Sequence, residues 1–233
     1  MNKKKILLTI FIFCQSILFL FVVFIRSKFT KFLSFFSILF SFLFSFFAIN
    51  DNKNSIYSQI ALFFTMIADV FLVLCNPPLK EVAMISFSIV QILYFVINLL
   101  LSNKCNLKNS ITIRIVICSF ILLSVVIVLN KNLDFLALIS VFYYINLVCN
   151  VIMAFKNKNA PLIFKLGLLL FLFCDTVIGL QSLETYINFN LDFLLTLNFD
   201  LVWLFYLPSQ VLLSLSAFKL KYKNSNLIKQ NFD

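Results

Sequence analysis

The feature that most limits this chain is a recurrence of apolar stretches, each about as long as a bilayer is thick, separated by short polar connections. A spanning helix needs about 20 apolar residues. The sequence supplies eight candidates, over 6–25, 32–49, 57–75, 82–101, 111–129, 135–155, 162–183 and 200–218. No soluble domain fits between them. Apolar residues make up 62% of the chain and charged ones 12%, with a mean hydropathy of +1.05. A water-soluble fold of 233 residues has no interior large enough to hide so much apolar surface, so a soluble globular enzyme is excluded, as are a disordered chain and a disulfide-stapled secreted domain. Two glycines and four prolines are too few for a turn-rich β-barrel. The expected fold is all-α, a polytopic membrane bundle of eight transmembrane helices in one domain over 1–218, followed by a polar tail over 219–233. The N-terminal apolar run lacks a small-residue cleavage pattern and is read as the first span, not as a signal peptide.

Most of the 19 basic residues fall at the N-terminus, in the second, fourth and sixth connections and in the tail. The positive-inside rule then places both termini in the cytoplasm of a protein of the cell membrane. The net charge of +10 is accounted for by this fringe, which contacts membrane lipids, and calls for no nucleic acid. Histidine is absent, which removes Ser-His-Asp and Cys-His catalysis and most zinc sites. The six cysteines show no CxxC spacing and mostly lie in apolar runs, where cysteine behaves as a small hydrophobe. Neither a metal nor a cofactor is expected.

Two of the nine acidic residues stand inside spans: Asp69 in FFTMIADVFLVLC and Asp175 in LLLFLFCDTVIGL. A carboxylate near the bilayer centre costs about 2.5–3.5 kcal/mol on insertion scales, and such residues face the bundle interior and mark function more often than structure. In the expected topology both lie roughly 10–14 Å below the outer boundary, so they can meet across the bundle. Other polar groups share helical faces. Span four carries Phe87, Gln91, Tyr94 and Asn98; span six carries Tyr143, Asn146 and Asn150; span eight carries Trp203, Tyr206 and Gln210. Gly167 and Gly179 in span seven allow close helix approach. Spans three, four, six, seven and eight are therefore expected to ring a polar pocket, although Tyr, Asn and Gln are equally suited to hold helices together. Pro208 can kink span eight. Arg26, Lys28 and Lys31 lie on the outer side against the general bias, either snorkelling to the interface or forming a cationic site for a phosphate headgroup.

Taken together, these residues resemble the lysoplasmalogenase family of YhhN-type integral membrane proteins, from about residue 28 to 218. TKFLSFF resembles the family's Thr-Lys-Pro stretch, and IADVFLVL its Gly-Asp motif. Phe87, Gln91 and Tyr94 resemble Phe-x3-His-x2-Tyr, and Tyr143 with Ala154 fits Tyr-x10-Ala. LLLFLFCDTVIGL resembles the Ser-Asp motif, and WLFYLPSQVLL the closing Tyr-x3-Gln segment. The chain departs from the pattern at four positions, with Phe32 for Pro, Ala68 for Gly, Gln91 for His and Cys174 for Ser.

The resemblance implies hydrolysis of the vinyl ether bond of a lysophospholipid substrate, a lysoplasmalogen, releasing a fatty aldehyde and glycerophosphocholine or glycerophosphoethanolamine. That chemistry suits a carboxyl pair. One group protonates the alkene carbon; the other stabilises the oxocarbenium ion and orients the water that captures it, as in glycosidases. Asp69 and Asp175 are the expected catalytic pair. Lys31 is expected to contact the phosphate. Gln91, Tyr94, Tyr143, Asn146, Tyr206 and Gln210 are the expected substrate-binding groups. A lipid-binding or proton-coupled transport protein, or a family member that lost activity with its histidine, would present the same residues.

Overall fold

The computed structural model describes residues 3–25, 29–48, 55–102, 107–129, 134–183 and 200–220. Arg26, Lys28, the connection 184–199 and the tail from 221 onward lie outside the described residues. Among the described residues eight helices follow one another: α1 (Lys3–Phe24), α2 (Thr30–Ser45), α3 (Ile56–Asp69), α4 (Lys80–Leu101), α5 (Leu107–Leu129), α6 (Phe135–Lys156), α7 (Leu162–Leu183) and α8 (Leu201–Ser216). The described residues contain no strand. The all-helical expectation holds.

Among the described residues six helices are long and apolar enough to cross a membrane, where eight spans were expected. The two others, α2 and α8, have 16 residues each, or about 24 Å. The backbone accounts for their length. The last turn of α2 tightens into a 3₁₀ turn at Phe46–Ala48. The first turn of α8 is set by Asp200, whose carboxylate Oδ1 accepts from the backbone N–H groups of Val202 (3.0 Å) and Trp203 (3.4 Å). Prolines sit largely where helices stop or start. Pro77 and Pro78 lie between α3 and α4, and Pro161 precedes α7, accepting from the amides of Phe164 and Lys165. Pro208 is interior to α8 and leaves the Leu204 carbonyl without its usual helical donor.

Helix α8 occupies the middle of the bundle, packed against α7, α2, α1 and α3. Its closest partner is α7, and Gly167 makes that approach possible: a Cβ there would lie 2.9 Å from Leu213 Cγ and 3.2 Å from the Leu213 backbone nitrogen. Helix α4 links α3 to α6, while α5 leans on α6 at the rim. Cys118 is the one buried side chain of α5 among the described residues.

Along α2 runs a seam of small polar residues, Ser34, Ser37, Ser41 and Ser45, all buried and spaced to share one face. Three helices dock on it. Gln15 of α1 donates from Nε2 to the Ser37 carbonyl and the Ser41 hydroxyl, each at 2.9 Å, and accepts from the Ser37 hydroxyl. Ser214 of α8 donates to the Ser41 carbonyl at 2.7 Å, and Gln59 of α3 donates to the Ser45 carbonyl at 2.9 Å. Where both the solvent and the side chains are apolar, small residues and interhelical hydrogen bonds are what join helices. A serine every turn supplies both.

Candidate active site

Asp69 is the last α-helical residue of α3. Beyond it the chain widens into a π-helical turn, Val70–Leu74, in which the Cys75 amide donates to the Val70 carbonyl at 3.1 Å. Single π turns within helices recur at functional sites, because the extra residue re-aims the side chains beside it. Asp69 is 1% exposed, and its Oδ2 accepts a 2.6 Å hydrogen bond from the Tyr206 hydroxyl of α8. Asp175 of α7 is half-buried, and its Oδ2 accepts from the Tyr143 hydroxyl of α6. Each carboxyl group thus has its own phenol, supplied by a different helix.

An aromatic wall joins the two pairs. The Tyr206 ring lies 5.7 Å from Phe171, Phe171 lies 6.0 Å from Phe87, and Phe87 lies 5.7 Å from Tyr143. Four helices, α3, α6, α7 and α8, supply the polar groups, and α4 supplies Phe87. These are the helices that the sequence grouped around a polar pocket; what lies between their two Asp–Tyr pairs is the row of Phe171 and Phe87 rings.

The remaining expected residues separate. Gln210 is buried on α8 one turn beyond Tyr206; its Nε2 donates to Ser209, while its Oε1 has no hydrogen-bond partner among the described residues. Tyr94 is fully buried edge-on to Phe164, 5.9 Å away, and its hydroxyl has no such partner either. Gln91 points both ways. Its Oε1 and its backbone carbonyl accept from Asn150 Nδ2 at 3.0 and 2.8 Å, while its Nε2 is unpartnered among the described residues. Lys31 is exposed at the start of α2. That is the end of the bundle where the Asp200 amide, opening α8, donates to the Val23 carbonyl of α1 at 3.5 Å.

Asn146 is not brought to the aspartates. It turns toward α5, accepting from Arg114 on Oδ1 at 3.4 Å and donating to the Phe142 carbonyl at 2.9 Å. Asn150 shares that cation, accepting from the Arg114 guanidinium at 2.8 Å. Sequence reading grouped Asn146 with Tyr143 because they are three residues apart. That spacing leaves them about 60° apart around α6, enough for them to face different neighbours. Arg114, which sequence reading did not single out, is an interhelical group. Phe171 was missed as well. Its signal was available: it lies one turn before Asp175 on the same face of α7.

The sequence model of the YhhN family matches residues 27–217. No curated protein and no solved structure matches the chain.

Proposed function

The chain belongs to the YhhN family, and on that premise we propose that it is a membrane-embedded hydrolase that cleaves the vinyl ether bond of lysoplasmalogens. The observation that carries the reading is the pair of intramembrane carboxyl groups, Asp69 and Asp175, each held by one tyrosine hydroxyl and joined by the wall of Phe171 and Phe87. Vinyl ether hydrolysis requires a proton donor aimed at the alkene carbon, a setting that tolerates the oxocarbenium ion, and a positioned water. It requires neither a serine nucleophile nor a histidine.

In this mechanism one carboxyl group transfers its proton to the alkene carbon that is β to the ether oxygen. Positive charge develops on the α carbon and the oxygen. The second carboxylate and the faces of the neighbouring aromatic rings stabilise that charge. Water, deprotonated by this carboxylate, adds to the α carbon. The hemiacetal then collapses to the aldehyde and the glycerophospho-alcohol. Tyr143 and Tyr206 fix the carboxyl groups, and general acid–base assistance of this kind is worth about 10²–10⁴-fold. Gln210 Oε1 and the Tyr94 hydroxyl are buried polar atoms suited to orient the water or the glycerol. Gln91 presents Nε2, a donor like an imidazole N–H, where the family has histidine, so a hydrogen-bonding role is preserved. Lys31 meets the phosphate at the membrane surface. Both termini are cytoplasmic, and the protein acts in the cell membrane.

The test is mass spectrometry of a lysoplasmalogen incubated with the purified protein in detergent. Wild type releases fatty aldehyde and the glycerophospho-alcohol, whereas Asp69→Asn and Asp175→Asn each abolish release while the protein still folds and inserts. Native-rate cleavage by the double variant would end the proposal. Lipid or proton flux without product would favour a transport protein instead.

A further inference from the structure

Among the described residues, the buried side-chain polar atoms without a hydrogen-bond partner are Gln91 Nε2, the Tyr94 hydroxyl, Asn98 Oδ1 and Gln210 Oε1. All but Gln210 belong to one helix. Positions 91, 94 and 98 are spaced i, i+3 and i+7, so they share one face of α4, and none of these side chains is more than 1% exposed. A buried polar atom that lacks a protein partner is the usual seat of a structural water, and a row of them can hold several.

The surrounding bonds fix which end of each amide is left over. The Arg114 guanidinium donates to Asn150 Oδ1 at 2.8 Å. Asn150 therefore turns Nδ2 toward α4, where it donates to the Gln91 carbonyl at 2.8 Å and to Gln91 Oε1 at 3.0 Å. That leaves Gln91 with Nε2, a donor. Asn98 donates from Nδ2 to the Asn150 carbonyl at 3.3 Å, which leaves it with Oδ1, an acceptor. The Tyr94 hydroxyl stands between them and can do both. Gln91 can thus donate to a water, that water to the Tyr94 oxygen, the Tyr94 hydroxyl to a second water, and the second water to Asn98. Every bond points the same way, and no donor meets a donor. The steps also fit. The rise along α4 is about 4.5 Å from Gln91 to Tyr94 and about 6 Å from Tyr94 to Asn98, and one water making two hydrogen bonds reaches about 5.5–6 Å.

The row connects an exposed end of the bundle with the candidate site. Asn98 lies less than one turn before the end of α4, where exposed Asn159 donates to the Leu101 carbonyl at 2.9 Å and Asn157 donates to the Asn98 carbonyl at 3.3 Å. In the orientation expected from the basic residues this is the cytoplasmic end. At the other end, Gln91 is one turn from Phe87, whose ring is 5.7 Å from that of Tyr143, the phenol that holds Asp175.

We propose that this face of α4 holds a file of water molecules leading from the cytoplasmic end of the helix to the Tyr143–Asp175 pair, and that the file supplies the hydrolytic water. That role rests on the hydrolase reading: each vinyl ether cleaved consumes one water, and a lipid substrate brings none with it from the bilayer. Asn98 is a positioning residue, which holds the cytoplasmic end of the file without touching substrate.

Radiolytic hydroxyl-radical labelling of the full-length protein in detergent tests this, because radicals made from a bound water modify the side chain beside it. Rates are read by mass spectrometry and normalised to the unfolded chain. Tyr94, although 0% exposed, should be oxidised several-fold faster than Phe11, which is 1% exposed and stacked 3.9 Å from Phe44. Asn98→Leu should lower the Tyr94 rate toward that of Phe11, whereas Asn98→Ser, which keeps an acceptor, should retain most of it. If Asn98→Leu fails to fold, the wild-type comparison decides. Tyr94 labelling no faster than that of Phe11, or unchanged Tyr94 labelling in folded Asn98→Leu, would overturn the proposal and leave Asn98 as an interhelical clasp. Aldehyde release from a lysoplasmalogen, measured on the same samples, separates the two readings. Release without Tyr94 labelling would overturn the file and keep the hydrolase; labelling without release would keep the file and end the role assigned to it.

Discussion

Replacing Tyr206 with phenylalanine is the sharpest probe of how the candidate site works. The change deletes one oxygen, the donor of the 2.6 Å hydrogen bond to Asp69. Packing survives, because the ring contacts with Phe171 at 5.7 Å and Trp203 at 5.8 Å need only the ring. A hydrogen bond to a charged group is worth about 1.5–3 kcal/mol. If that energy holds the carboxyl in its reactive position, its loss appears in the barrier, where every ~1.36 kcal/mol is tenfold. Tyr206→Phe should therefore lower kcat for aldehyde release by about 10- to 150-fold. KM should change little, since Tyr206 is not placed at the phosphate. Tyr143→Phe should act similarly through Asp175. Initial rates of aldehyde formation, measured on protein of matched melting temperature, provide the assay. The double variant adds information: if the carboxyl groups do separate jobs in one step, the two losses should multiply. Full activity in both single variants would refute the idea that the phenols position the acids.

Three further outcomes follow from the packing. Gly167→Ala should lower stability by about 1–3 kcal/mol, because the new methyl meets the Leu213 backbone as well as its side chain; Gly179→Ala, with nothing within 4 Å of the added carbon, should leave the melting temperature unchanged or slightly higher. Gln15→Leu removes three hydrogen bonds to α2 and should cost about 1–2 kcal/mol on the scale measured between membrane helices, read as an earlier unfolding transition in detergent. Asp200→Ala strips the cap from α8 and should cost about 0.5–2 kcal/mol; since α8 carries Tyr206 and Gln210, activity should fall at temperatures below the melting transition.

Sequence alone determined that the chain is a helical bundle of membrane-like composition, and it located each helix to within a few residues. The reason is that hydropathy and the near absence of glycine and proline from these stretches act locally, over one helix at a time. It also singled out Asp69 and Asp175, because an ionisable group in an apolar run is conspicuous whatever surrounds it. The tertiary structure alone decided which tyrosine each carboxyl would receive, since Tyr206 and Asp69 are 137 residues apart. It also sent Asn146 and Asn150 to Arg114, made Gln91 and Asn98 part of the α4–α6 contact, and turned an ordinary run of serines in α2 into the seam on which three helices dock. Periodicity tells which residues share a face of a helix. It does not say how the neighbouring helix is rotated, and that rotation, set by the packing of the whole bundle, chooses the partner of every polar side chain.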